Sequence, residues 1–492
     1  MTARATLRLV SDAQSSRDRD AASFAASGAR AVPDLTGAEI ARLTRGELLV
    51  ESPRPIRGGA VDSRLVVPGN LFVALQGERT DGHRHLSAAA AAGAAAVIVV
   101  ALPTDQPLPP DVAVIRVADP LAALQAVAAA WRRRFDLLVV GVTGSIAKTS
   151  TKDAIAAVLA ARFRTLKSEG NQNNEIGLPL TVLRLGPEHE AAALEMGMYV
   201  GGEIAQLAAI AAPRIGVVTA VHSVHLSRIG TLDAIERAKG ELVEALPPDG
   251  TAILNADDDR VRRMASRTRA RSMTYGFARD ADVRADHVES LGPRGMRFEL
   301  IAPVGRGGVA IPTLGRHAVH NALAAAAVGV VAGYSIDDVA RGLAGARTSA
   351  HRGELLVAGP ITILDDSYNA SPRSMRAAME LLVTLPGRHV AVLGEMFELG
   401  DASDAGHREV GEIAAGLVDL LVVVGDGAAL IVESARAAGL RDASIIPVPD
   451  RGAAQAVLRE RLLPGDVVLV KASRGAELDV LVASLRDEWR AR

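Results

Sequence analysis

The residues Gly141-Val142-Thr143-Gly144-Ser145-Ile146-Ala147-Lys148-Thr149-Ser150-Thr151-Lys152 decide how the chain is read. An apolar run at 137–140 precedes them and reads as a buried strand, and an Ala-rich periodic segment at 153–161 follows and reads as a helix. Strand, glycine turn, Lys-Thr and helix is the arrangement that cradles a nucleoside triphosphate. Backbone N–H groups at the helix N-terminus point at the phosphates, Lys148 adds positive charge, and the Thr149 hydroxyl can ligate Mg²⁺. The spacing departs from the strict phosphate-loop pattern, and Ala147 stands where a glycine normally precedes the lysine. A plain Gly-rich strand–helix turn is the alternative; the flanking elements and the neighbouring threonine favour the nucleotide loop.

At 492 residues the chain has room for roughly three domains of about 150 residues. Hydrophobic residues make up 49% and aromatics only 3%, so Val, Leu and Ala are expected to pack the cores. With 55 basic and 57 acidic residues the formal charge is −2, which leaves no electrostatic footprint for nucleic acid or an anionic membrane. The absence of cysteine excludes disulfides and thiolate metal sites. Residues 1–31 alternate Arg, Asp, Ser and Ala without the apolar core of a signal peptide, and read as a poorly ordered tail. The longest apolar run, 88–102, is Ala-rich and interrupted by Gly93, too short and too weakly hydrophobic to span a bilayer. A soluble, cytoplasmic protein, not membrane-embedded and monomeric, is expected.

Around the loop the chain divides into modules at 32–134, 135–346 and 347–492. The first reads as a small α/β unit, with Trp131-Arg132-Arg133-Arg134 as the solvated end of a helix at 121–134. In the second, strands at 191–194, 215–219 and 251–254 alternate with helices, which predicts a doubly wound, mostly parallel sheet. Short runs at 283–288, 296–301 and 308–311 break that rhythm and read as a β insertion. The third module alternates strands at 361–364, 389–393, 420–424 and 467–470 with four helices, a second α/β sheet of Rossmann-like type.

Candidate chemistry gathers after the strands, where open α/β sheets bind ligands. Glu195 follows the 191–194 strand and reads either as a Mg²⁺ ligand or as a carboxylate starting a helix. His222 and His225 follow the next strand and read as ligands or as structural loop histidines. By pattern alone Lys239 is a solvated helix charge. Asp365-Asp366-Ser367-Tyr368-Asn369-Ala370-Ser371-Pro372 could bind ribose, a metal or phosphate, or could cap the helix that begins near Ser374.

The loop resembles that of the Mur ligases, ATP-dependent amide-forming enzymes of peptidoglycan precursor synthesis. The matches continue in order through Asp62-Ser63-Arg64, Gly170-Asn171-Gln172-Asn173-Asn174-Glu175-Ile176-Gly177, Glu195-Met196-Gly197, His225-Leu226, Ala238-Lys239-Gly240-Glu241 and His320-Asn321. They end with the Asp365 stretch, Gly394-Glu395-Met396-Phe397-Glu398-Leu399-Gly400 and Val470-Lys471-Ala472-Ser473-Arg474-Gly475. The resemblance covers about 62–485. The Asn-Asn-Glu-Ile-Gly and Asp-Asp-Ser-Tyr-Asn stretches point to the family's step that joins D-alanyl-D-alanine to UDP-N-acetylmuramoyl-tripeptide.

The resemblance implies roles residue by residue. Gly144, Ser145, Ala147, Lys148, Thr149 and Ser150 would hold the ATP phosphates, with Thr149 and Glu195 on a first Mg²⁺. His225 would ligate a second, and Lys239 would be the family's carbamylated lysine; Lys148, Lys239 and His225 form the implied catalytic set. Asn321 would contact adenine, while Arg352 and Asp366 would reach the phosphates and ribose from the third module. Ser63, Arg64, Asn173, Asn174, Lys471 and Arg474 would face the substrates. Three departures stand out: Ala147, Ala220 where the family often has asparagine, and the pair Ser371 and Ala472. None removes a charge. The competing readings are another Mur-type ligase, such as the third-amino-acid-adding or folylpolyglutamate type, and a nucleotide-binding regulator without ligase chemistry. The third-amino-acid-adding type usually carries an Asp-Asn-Pro-Arg run, which this sequence lacks.

Overall fold

The computed structural model describes residues 33–77, 80–222, 230–397 and 399–491, so His225 and the 1–31 tail lie outside the described residues. Apolar runs such as Leu420–Val424, buried along their whole length, become inner strands covered by helices on both faces. Three α/β sheets result, one for each part of the chain.

The central sheet has nine strands. In spatial order they are Gly305–Ile311, Met296–Ala302, Val283–Ser290, Arg271–Gly276, Thr251–Asn255, Ile215–Val218, Leu138–Thr143, Ala191–Glu195 and Thr165–Lys167. Pairing is parallel from Val283–Ser290 to Thr165–Lys167 and antiparallel among the first three. The runs expected as a β insertion are therefore the antiparallel end of this same sheet. The strand leading into the loop sits well inside it, in register with Ala191–Glu195, so Val142 lies opposite Glu195. Above it the helix Lys148–Leu159 packs on Arg316–Val331, whose residues 322–328 are all buried. Five of those seven are alanine, which favours the helix and lets the two axes approach.

The N-terminal sheet runs Glu47–Val50, Ala113–Arg116, Ala96–Val99, Leu71–Val73, Gly59–Ala60, with only the first strand antiparallel. The C-terminal sheet runs Glu354–Ala358, Ile361–Asp365, Val467–Lys471, His389–Gly394, Leu420–Val424, Ile445–Val448. Its first pair is antiparallel and the rest are parallel. The late strand Val467–Lys471 inserts between two earlier ones, which creates a topological switch point at the carboxyl edge.

The Trp131–Arg134 reading needs correction at Trp131 and Arg132. Asp119 caps the helix Pro120–Arg132, and at its C-terminal end Arg133 is exposed as expected, but the two residues before it are not. Trp131 is buried and donates to Leu185 O at 3.0 Å. Arg132 is buried too, donating to Ala211 O at 2.9 Å and Phe135 O at 2.8 Å. Ala211 ends the helix Glu203–Ala211, so the guanidinium neutralises that helix's negative end and welds the first module to the second. Arg132→Ala strands both carbonyls, and a loss of about 2–3 kcal/mol is expected. A fall of several degrees in the first thermal transition would register it; an unchanged transition would contradict it.

Candidate active site

The loop's shape follows from its small residues. Gly144 has φ +150°, and a Cβ there would lie 1.8 Å from Thr219 Oγ1, so no other residue fits. Thr219 Oγ1 donates to Ile146 O at 2.6 Å, and Ser145 N–H donates to Ala220 O at 2.8 Å, tying the loop to the next strand's end. Lys148 Nζ curls back to Gly144 O at 2.9 Å. Burial lowers its pKa, with the Arg352 charge adding to the effect and Glu195 opposing it. Ala147 is the N-cap of the helix and holds φ +64°. An L-residue there carries strain of about 1 kcal/mol. Ala147→Gly is thus expected to raise the melting temperature slightly or tighten ATP binding. Lower stability with unchanged ATP affinity would show that the loop accommodates alanine.

Behind the loop lies a buried carboxylate. Glu195, 2% exposed, accepts the Thr149 hydroxyl on Oε2 and the Asn173 amide on Oε1, each at 2.7 Å. Gly197 leaves room for Asn173, whose side chain would sit 3.0 Å from a Cβ there. Neighbouring Asn174 turns its Oδ1 to the Gly177 N–H at 2.8 Å and so shapes the start of the helix Gly177–Leu183. Lys239, on the helix Leu232–Glu244, is 2% exposed and has no hydrogen-bond partner among the described residues. The solvated-charge reading is excluded. Burial first, then the Lys148 charge, pushes its pKa well below the usual lysine value. Among the described residues no group of three or more His, Asp or Glu is arranged to hold a metal; Thr149 and Glu195 are the hard oxygen donors the site offers. His222 meets a residue of the third module, its Nε2 lying 2.7 Å from Arg373 Nη1.

The third module closes over the loop. A cavity between the modules is lined by Ser150, Leu314, His317, Asn321, Arg347 and Arg352. Asn321 Oδ1 accepts from Thr151 Oγ1 at 3.2 Å, fixing the helix Arg316–Val331 to the loop helix. Arg352 stacks on Tyr368, its guanidinium carbon 3.9 Å from the ring centroid. Asp366 accepts from Lys471 Nζ at 2.6 Å, and the same lysine, 2% exposed, also donates to Asn369 O at 2.8 Å. Lys471 is thereby committed to Asp366. Ser371, with Pro372 after it, caps the helix Pro372–Leu382, so neither aspartate is a cap. Asp365 is fully buried against His351 and Ser367.

Two residues sit apart from this cluster. Ser63 and Arg64 form a short 3₁₀ turn, with Arg64 exposed and paired to Asp62, whose pKa its side-chain hydrogen bond holds down to about 2. Arg474 is exposed and 2.8 Å from Asp479, but it joins the cluster, its guanidinium carbon 5.8 Å from the centroid of the Tyr368 ring on which Arg352 stacks. The sequence reading had no signal for Ser168, whose hydroxyl oxygen accepts the Glu195 N–H at 3.1 Å, nor for Ser349, His351 and Arg373, each of which reaches its partner through the fold; Tyr368 lay within the quoted Asp365 stretch, but its stacking with Arg352 was not legible. At the switch point of the C-terminal sheet a further crevice of about 550 Å³ is lined by Glu395, Phe397, Gly425, Asp450, Arg451 and Ala476.

Family models match residues 55–132 (Mur ligase family, catalytic domain), 142–329 (Mur ligase middle domain) and 351–474 (Mur ligase, glutamate ligase domain). The UDP-N-acetylmuramoyl-tripeptide–D-alanyl-D-alanine ligase of Mycobacterium tuberculosis is 40% identical over 92% of this chain and 98% of its own. That of Bacillus subtilis is 38% identical over 87% and 93%. Among solved structures, MurF from Acinetobacter baumannii superposes with TM-score 0.82 at 31% identity, covering 93% of this chain and 100% of that one. MurF ligase from Thermotoga maritima, in complex with ADP, gives 0.76 at 28% identity over 89% and 98%.

Proposed function

This chain belongs to the Mur ligase family, and from that premise we propose that it uses ATP to join D-alanyl-D-alanine to UDP-N-acetylmuramoyl-tripeptide. The observation that carries the reading is Glu195. One buried carboxylate touches Thr149 of the phosphate loop and Asn173 of the stretch on the substrate side, so nucleotide and acceptor meet at a single point.

An amide forms from a carboxylate only after the acyl group is activated. A tripeptide carboxylate oxygen attacks the γ-phosphorus, ADP leaves, and an acyl phosphate results. The dipeptide amine adds to the acyl carbon, loses a proton, and the tetrahedral intermediate expels phosphate carrying that oxygen. Lys148 and the loop N–H groups neutralise charge on the transferring phosphoryl group. Arg352, reaching over from the third module, adds to that neutralisation, while Asp366, held by Lys471, takes the ribose side and Asn321 the base. Closure of the modules excludes water from the acyl phosphate.

Mg²⁺ fits the oxygen donors Thr149 and Glu195, and when bound it offsets phosphate charge. Lys239, once carbamylated, and His225 would supply donors for a second ion. Ser63, Arg64 and Asn174 belong to the UDP-sugar side. The crevice at the switch point, near Arg474, suits a small zwitterion and is assigned to the incoming dipeptide. Among the described residues no helix is long and apolar enough to cross a membrane; nucleotide-linked substrates favour a cytoplasmic reaction, and a monomer is the state this reading proposes.

ADP release tests the reading. Turnover is expected to require the UDP-tripeptide, and steady amide formation to require the dipeptide as well. Full-rate ATP hydrolysis with neither present would favour a regulator that has lost ligation.

A further inference from the structure

The linker 347–353 joins the helix Ile336–Ala344 to the strand Glu354–Ala358 and carries Arg352. His351, one residue earlier, has φ +63°. A side-chain-bearing residue stays in the left-handed region only where its surroundings over-determine it. Here they do so at three points. Its Nδ1 lies 2.7 Å from Asp365 Oδ2, and Asp365 is fully buried, with Oδ1 accepting from the Ser367 hydroxyl at 2.6 Å. The His351 carbonyl accepts the Tyr368 N–H at 3.1 Å, and the Gly353 N–H donates to Asp365 O at 2.8 Å. Arg352 is thus bracketed on both sides by attachments to 365–368, and its guanidinium rests on the Tyr368 ring. Toward the nucleotide loop, the Ser349 hydroxyl donates to Asp153 on the helix Lys148–Leu159, and the Arg352 N–H donates to Ser349 O at 3.2 Å.

We propose that His351 is a positioning residue: its pairing with Asp365 sets the linker so that Arg352 is presented to the nucleotide beside Lys148. The inference rests on the reading of Arg352 as a phosphate-side group. It differs from a purely structural role, in which the pair stabilises a turn and Arg352 finds its place unaided. Alanine keeps the backbone strain and removes the pin; glycine removes both. A clamp therefore loses nucleotide affinity in either variant, whereas a turn relieved of strain does not.

The test is a double-mutant cycle on the full chain, with ATP and UDP-tripeptide dissociation constants measured by calorimetry alongside melting temperatures. His351→Ala and His351→Gly are each expected to weaken ATP about tenfold while UDP-tripeptide binding stays within about twofold. The His351→Ala/Arg352→Ala double variant is expected to bind ATP no more weakly than Arg352→Ala alone. His351→Asn, which tolerates the left-handed region and keeps a donor for Asp365, is expected to recover ATP affinity to within about threefold of native. Native ATP affinity in His351→Gly, or losses that multiply in the double variant, would overturn the clamp and leave Arg352's role intact. Native ATP affinity in Arg352→Ala would overturn the nucleotide reading of that residue and the clamp with it. Should the alanine and glycine variants fail to fold, the asparagine variant decides: weak ATP binding at native melting temperature overturns the proposal.

Discussion

Replacing Lys148 by alanine is expected to lower kcat by about three orders of magnitude or more while the fold survives. Lys148 forms no ion pair among the described residues; it spends its hydrogen bonds on Gly144 O and Ser145 O, within the loop itself. Desolvation disfavours its charge most, the Glu195 carboxylate supports it and the Arg352 cation opposes it. A half-buried cation poised this way is costly until phosphate oxygens arrive, so its stabilisation is delivered to the transferring phosphoryl group. Removing it should leave the melting temperature unchanged or higher, because a desolvated charge disappears. Steady-state kinetics with circular dichroism checks both halves. Near-native turnover would sink the nucleotide assignment.

Lys239→Ala is expected to abolish ligation, and short-chain carboxylic acids are expected to restore part of it. The side chain is 2% exposed and without a hydrogen-bond partner among the described residues, and its ammonium form is disfavoured by burial and by Lys148. A depressed pKa leaves a larger fraction of free amine at neutral pH, which is the form that adds CO₂. The carbamate so formed is an anion with two oxygens, suited to a hard divalent cation and compatible with a site otherwise rich in positive charge. Lys239→Arg keeps a cation that cannot be carbamylated and should remain inactive. An arginine variant as active as the native chain would return Lys239 to an ordinary helix residue.

What could be read from the residues depended on whether the signal was local. Inner strands such as Leu138–Thr143 and Val467–Lys471 are buried on both faces and announce themselves as apolar runs. Edge strands do not. Glu47–Val50 and Glu354–Ala358 are only partly buried, and Thr165–Lys167 is three residues long, so none has a clear pattern. The Arg132 error has the same origin, since a rule about helix ends cannot see the carbonyl of Ala211 lying 79 positions away. Within the site, the loop and its lysine were legible because strand, turn and helix are contiguous. Contacts that assemble it join residues 46 apart for Thr149 and Glu195, and 151 apart for His222 and Arg373. Pattern left Asp365 and Asp366 open between capping and binding; the cap supplied by Ser371 removes the first option.

The central claim is that the tripeptide carboxylate is activated by phosphoryl transfer before the amine attacks. Its most direct test labels that carboxylate with oxygen-18 and follows the label during ligation with ATP and D-alanyl-D-alanine. One labelled oxygen is expected in each released phosphate, in proportion to the amide formed. Amide and ADP appearing together with unlabelled phosphate would contradict the account.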